Sequence, residues 1–197
     1  MVHMLIGIPG SGKSTFAKTL SATLKCDIAS TDKVRKDNPK WKEEQVWPEV
    51  YRLCAEALKD GKDIIFDATN ITPKVRERFV SEVEKNGVKM VMGAYYFNTS
   101  KEECFSRVVE RNKLADSLFL PPEVVYSYGE KIVFPTLEEG FCFIKTIEFG
   151  KIIKAENKNE EADSSLAEEQ EDKPMVELIE DKIEHIFDKA NDYERIK

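Results

Sequence analysis

The sequence predicts an α/β fold, a parallel five-stranded sheet flanked by helices on both faces. Three observations predict it. Over residues 1–154, short apolar runs alternate with stretches of helical periodicity. A glycine-rich loop separates the first run from the first helix. Acidic residues, Asp32 and Asp67, close the second and third runs. In sheets of this kind ligands bind beyond the carboxyl ends of the strands, so the loop, Asp32 and Asp67 are expected on one edge.

Residues 2–6 form the first apolar run and lead into Gly7-Ile8-Pro9-Gly10-Ser11-Gly12-Lys13-Ser14, followed by Thr15. This fits G-x-x-x-x-G-K-[ST], the phosphate loop of nucleoside-triphosphate enzymes. Glycines let the backbone turn tightly and aim several N–H groups at one oxyanion. The following helix adds the partial positive charge of its N-terminus. That helix, residues 14–24, places Phe16, Ala17, Leu20 and Leu24 on one face. Lys13 supplies a cation for the β- and γ-phosphates, and the Ser14 hydroxyl is placed to ligate Mg²⁺. Gly10, Ser11, Gly12 and Thr15 complete the expected ATP cradle.

Residues 26–30 read as a second strand ending at Thr31-Asp32. Residues 33–42 are basic and contain Pro39, which predicts a loop or a broken helix. Residues 46–58 are amphipathic and close at Asp60-Gly61-Lys62. Residues 63–66 form the third strand and deliver Asp67-Ala68-Thr69-Asn70. A helix over 73–85, a strand over 88–97 and a helix over 100–112 follow, the last capped at Thr99 or Ser100. Residues 114–122 carry two of the prolines and no helical period. Helix resumes over 122–133, and residues 141–149 form the last strand, with Ile152-Ile153 extending a hairpin after Gly150-Lys151.

The acidic character of the chain lies at its end. Of 37 acidic and 30 basic residues, 15 and 6 fall in residues 155–197, leaving 22 and 24 in residues 1–154. The overall charge of −7 therefore says little about the substrate of the first part. Residues 155–173 read as a solvated acidic linker or a disordered segment. Residues 174–190 carry Met175, Leu178, Ile179, Ile183, Ile186 and Phe187 at helical spacing, a C-terminal amphipathic helix that can dock or bind a partner. No leader-like segment or membrane-length apolar run is present, and the four cysteines are widely spaced without a C-x-x-C pair. The expectation is a cytoplasmic protein with reduced cysteines.

Phosphoryl transfer needs a phosphate cradle, a metal, a base and cations that neutralise spreading charge. Asp32 is placed to accept a proton from an incoming hydroxyl, or else to cap the helix that follows. Arg35, three residues on, is placed to grip a substrate phosphate or to sit on a solvated basic face. Asp67 fits the carboxylate that holds Mg²⁺ through water, the alternative being a capping role. Thr69 and Asn70 stand at the same mouth and are equally able to bond the turn backbone. Arg107 and Arg111 lie one turn apart before the proline-containing segment, which is placed to close as a lid over ATP; surface pairing with Glu103 or Glu110 is the plain alternative. Trp41 and Trp47 can stack on a base or pack at the core rim. His3 and His185 look incidental.

Over residues 5–144 the chain resembles the 5′-hydroxyl polynucleotide kinases and related small ATP-dependent kinases. The matching motifs are the loop from Gly7 to Thr15, Ser30-Thr31-Asp32-Lys33-Val34-Arg35, Ala57-Leu58-Lys59-Asp60-Gly61-Lys62 leading into Phe66-Asp67-Ala68-Thr69-Asn70, and Val109-Glu110-Arg111-Asn112. The resemblance implies an adenylate-kinase-like strand order, with Asp32 as general base on a 5′-hydroxyl and Arg35 on the acceptor phosphate. It further implies Lys13 and Ser14 on ATP and Mg²⁺, and Arg111 in the lid. Some relatives carry a second lid arginine where this chain has Ala115, and Arg107 stands one turn earlier. No D-x-D-x-T phosphatase motif is present.

The expected function is transfer of the γ-phosphate of ATP to the 5′-hydroxyl of DNA or RNA. The alternatives are a kinase of a small metabolite, sugar or aminoacyl-tRNA on the same fold, and a non-catalytic nucleotide-dependent switch module. The modest excess of cations in residues 1–154 keeps the metabolite alternative open, because long nucleic-acid contacts usually need more.

Overall fold

A computed structural model describes residues 1–115 and 117–158. Of the linker expected over residues 155–173, residues 155–157 belong to the last strand; its part from residue 159 onward, the helix expected over 174–190 and His185 lie outside the described residues. The elements are β1 (Val2–Ile6), α1 (Lys13–Leu24), β2 (Asp27–Ser30), α2 (Thr31–Asp37), α3 (Glu43–Lys59) and β3 (Ile64–Asp67). They continue with α4 (Pro73–Glu84), β4 (Met92–Phe97), α5 (Lys101–Asn112), α6 (Val124–Gly129), a 3₁₀ turn (Leu137–Glu139), β5 (Phe141–Glu148) and β6 (Lys151–Asn157).

The sheet order is β2-β3-β1-β4-β5-β6. The first five strands pair in parallel, and β6 pairs antiparallel with β5. The order of the five parallel strands is the one implied by the resemblance. The sixth strand corrects the expected count of five: residues beyond 150 turn back through Phe149 (φ 47°) and Gly150 (φ 76°), two left-handed residues that match the twist of a tight hairpin. The strand runs to Asn157, past the boundary placed at residue 154.

Every residue of β1 is buried, because helices cover both of its faces. Alternate side chains divide between two cores. Met4, Ile6, Phe66 and Ala94 meet Val46, Val50, Tyr51, Phe79 and Val83 of α3 and α4. Leu5, Ile65, Tyr95 and Phe143 meet Phe16, Ala17 and Leu20 of α1. The stacked Phe66 and Phe79 rings, 4.2 Å between centroids, fix α4 against β3. Each such burial contributes about 1.5–3 kcal/mol.

Two elements are shorter than their periodicity suggests. β4 begins at Met92, opposite Val2 at the start of β1, and of the residues expected before it Val91 contributes its carbonyl to the Val2 N–H (2.8 Å). Helix after Pro122 ends at Gly129, where the chain turns so that the Val133 N–H can donate to the Ile71 carbonyl (2.8 Å). All four cysteines are free thiols, as expected. Among the described residues no helix is long and apolar enough to cross a membrane.

Candidate active site

The loop between β1 and α1 owes its shape to its glycines. Gly10 has φ +85°, and a Cβ there would stand 2.4 Å from the Cys104 carbonyl oxygen of α5. Gly12, at φ +97°, is the residue from which α1 starts, and among the described residues no side chain caps that helix. Its first-turn N–H groups are therefore left for an anion, the cradle a triphosphate requires. The Gly7 N–H donates to the Thr69 carbonyl (3.0 Å), and the Thr99 hydroxyl donates to the Ser11 carbonyl (3.2 Å). The loop is thus held from the ends of both β3 and β4.

Lys13 folds back under this loop. Its Nζ donates to the Ile8 carbonyl (2.8 Å) and the Ser11 hydroxyl (3.2 Å). Burial lowers its pKa to about 8, against the opposing pull of Asp67, Cys104 and Asp32, while Arg111 lowers it further. Those groups therefore lie close enough to act on one ammonium. Burial pushes the Asp67 carboxyl up, and Lys13 and a hydrogen bond from the Ser14 hydroxyl pull it back. The two residues expected to hold Mg²⁺ are thus in contact with each other. A hydroxyl and a carboxylate are hard oxygen donors. With no cluster of three or more His, Cys, Asp or Glu among the described residues, they fit a Mg²⁺ held mainly by phosphates and water.

Asp32 lies in the first turn of α2. Ser30 is the residue that caps this helix, accepting from the Lys33 N–H, so Asp32 is free of that role and 61% exposed. Arg35 donates from Nη1 to Asp32 (2.8 Å), and from Nε and Nη2 to the two carboxylate oxygens of Glu43 (2.8 and 2.9 Å). These hydrogen bonds hold the Glu43 carboxyl below its ordinary value. The fork expected on an acceptor phosphate is occupied by a residue of the chain itself.

On α5, Arg107 donates to the Gly10 carbonyl (3.3 Å) and pairs with Glu103. It lies directly on the phosphate loop. Arg111 sits one turn further along, and its buried Nε has no hydrogen-bond partner among the described residues. Asn70 adopts φ 49° and donates from its amide to the Leu5 carbonyl (2.8 Å), tying the end of β3 to β1 beneath the loop. Thr15 is exposed on the first turn of α1.

Sequence reasoning missed three contributors. Glu43 opens an amphipathic helix, where an acid is unremarkable. In the sequence Thr99 offers only a possible cap for α5, a role that Ser100 takes. Arg76, 2% exposed, donates to the Asn70 and Val133 carbonyls (3.0 and 3.2 Å) and grips Glu139 with Nε and Nη2 (2.6 and 2.7 Å). An arginine within a surface-type helix carries no sequence signal for such burial. Trp47 packs on Tyr51, at 6.0 Å between centroids, and donates its indole N–H to Glu43 (3.0 Å). Trp41 is exposed, whereas His3 is fully buried between Tyr95 and Asp63.

Fold and loop together define a P-loop kinase fold with a site built to hold the phosphates of ATP. The chain belongs to the AAA domain family, whose model matches residues 2–128. It is similar to the L-seryl-tRNA(Sec) kinase of Methanococcus maripaludis, with 30% identity over 145 residues, 68% of this chain and 53% of that protein. The chain thus spans about half the length of this curated relative. Among solved structures, Chaetomium thermophilum Kti12 in complex with ADP-AlF3 superposes with TM-score 0.60 at 15% identity, covering 98% of each chain. A Janibacter sugar kinase superposes with TM-score 0.54 at 13% identity, covering 74% of this chain and 84% of that one. At these identities the two structures speak for the fold.

Proposed function

We propose that the chain is an ATP-dependent phosphotransferase that moves the γ-phosphate to the hydroxyl of a small metabolite or of an aminoacyl group carried on tRNA. The observation that carries the reaction class is the phosphate loop itself, with the start of α1 left uncapped, Lys13 folded beneath it and Arg107 resting on the Gly10 carbonyl. Asp32 accepts the proton as the acceptor oxygen attacks phosphorus, and the bond from phosphorus to the β,γ-bridging oxygen breaks to release ADP. Lys13, Arg107 and Arg111 neutralise charge that spreads over the transferring group. Ser14 and Asp67 would hold a Mg²⁺, which would supply charge screening for the phosphates.

Two observations support this acceptor class. The Arg35 fork is filled by Glu43, which leaves it unavailable to an acceptor phosphate. Similarity to a kinase of seryl-tRNA(Sec) supports the aminoacyl case. A second reading, transfer to the 5′-hydroxyl of DNA or RNA, draws support from the sequence motifs around Asp32, Arg35 and the 67–70 turn, although the Asn70 side chain is buried beneath the loop and leaves Thr69 as the polar group nearer an acceptor.

The test is labelled ATP offered with a panel of acceptors: sugars, seryl-tRNA and 5′-hydroxyl oligonucleotides. A phosphorylated metabolite or seryl-tRNA is expected. Product on the oligonucleotide alone would favour the second reading, and hydrolysis without product a switch module. Asp32→Ala is expected to cut transfer by about a hundredfold or more while ADP affinity stays within about twofold. Ordinary turnover in that variant would remove Asp32 from the mechanism.

A further inference from the structure

Arg35 and Glu43 meet fork to fork, with two parallel N–H to oxygen bonds of 2.8 and 2.9 Å. A guanidinium offers this same planar pair of donors to a carboxylate or to a phosphate, and to one of them at a time. The third contact of Arg35, from Nη1 to Asp32, ties the same guanidinium to the side chain placed as the base.

Glu43 is itself held in place. It is the first residue of α3, where the helix N-terminus favours a carboxylate. Trp47, one turn on, donates its indole N–H to the Glu43 oxygen that already accepts from Nη2 of Arg35. The indole is fixed in turn by its packing on Tyr51. Within this trio Asp32 and Glu43 outweigh Arg35 by one negative charge, so the occupied fork offers no net positive charge to an incoming anion.

We propose that Glu43 is a specificity-determining residue: by filling the Arg35 fork, it excludes acceptors bearing a phosphate beside the reacting hydroxyl and admits uncharged or cationic ones. The word acceptor here rests on the phosphotransfer reading above. The role of Glu43 is to occupy a recognition site that its removal would open. Trp47 is a positioning residue that acts through Glu43.

The test is equilibrium binding and needs no turnover. Thymidine 3′-phosphate, with a free 5′-hydroxyl, and uncharged thymidine are titrated by calorimetry into the full chain with ADP and Mg²⁺ present. Glu43→Gln keeps the side-chain length and is expected to tighten thymidine 3′-phosphate about tenfold, with thymidine unchanged. Adding Arg35→Gln to that variant is expected to abolish the gain. Trp47→Phe keeps an aromatic side chain but removes the N–H, and is expected to tighten the phosphate probe about two- to threefold.

ADP binding by each variant reports that it is folded. If Glu43→Gln fails that control, Trp47→Phe decides. No gain in a folded variant, or a gain that survives loss of Arg35, overturns the proposal. Absence of any phosphorylated product in the acceptor panel bears on the phosphotransfer reading alone, because these affinities are read without chemistry.

Discussion

Lys13 must be charged to hold phosphate, yet it is buried beneath the loop with a pKa lowered to about 8. The sign follows from linkage. The unfolded chain binds this proton more tightly than the folded one, so burying the charge costs stability near neutrality, and the cost is relieved as pH rises through about 8. Phosphate binding needs the protonated form. ADP affinity is therefore expected to hold level to about pH 7.5, then fall about tenfold per pH unit above about 8. Calorimetric titrations across that range check it, and affinity flat to about pH 9.5 would contradict it. The motif announced the role of Lys13. Its burial was not legible, because desolvation depends on α5 and β3 closing over the loop.

At the scale of elements, α5 and the phosphate loop are in contact through backbone. A side chain at Gly10 meets both a left-handed φ and the Cys104 carbonyl at 2.4 Å. Gly10→Ala is expected to cost about 2–5 kcal/mol of stability and to abolish ADP binding, since the loop must leave either its shape or its helix. Gly61 offers the contrast: its φ is +69° but no atom of the described residues lies within 4 Å of a Cβ there. Gly61→Ala is expected to cost about 1–2 kcal/mol and to leave ADP affinity unchanged. Urea denaturation with ADP titration of both variants separates strain from collision; equal losses would refute the distinction. The elements were largely legible because strand and helix periods are local properties. Their ends were not, since β4 starts where β1 gives it a partner and α6 stops where Ile71 offers a carbonyl.

At the scale of the whole molecule, Arg76 joins the turn after β3, the segment after α6 and the 3₁₀ turn before β5. Its guanidinium is almost wholly enclosed and Glu139 balances its charge. Glu139→Gln removes that balance and leaves a buried cation, which is expected to cost about 3–5 kcal/mol. Replacing both residues with leucine is expected to recover much of that loss, because no unpaired charge remains. Urea melts of the single and double variants test this, and a neutral Glu139→Gln would show that the pair is not a structural clasp.

The sequence alone determined the phosphate loop, the alternation that makes a parallel sheet, and the placing of Asp32 and Asp67 at strand ends. Each of these is written in residues within a few positions of one another, so local backbone preference and hydrophobic period suffice. Only the tertiary structure decided that Glu43 fills the Arg35 fork, that Arg107 rests on Gly10 and that Arg76 pairs with Glu139. The last two join residues 97 and 63 positions apart. A long charged side chain has many partners within reach in sequence, and packing of the elements that carry it selects one.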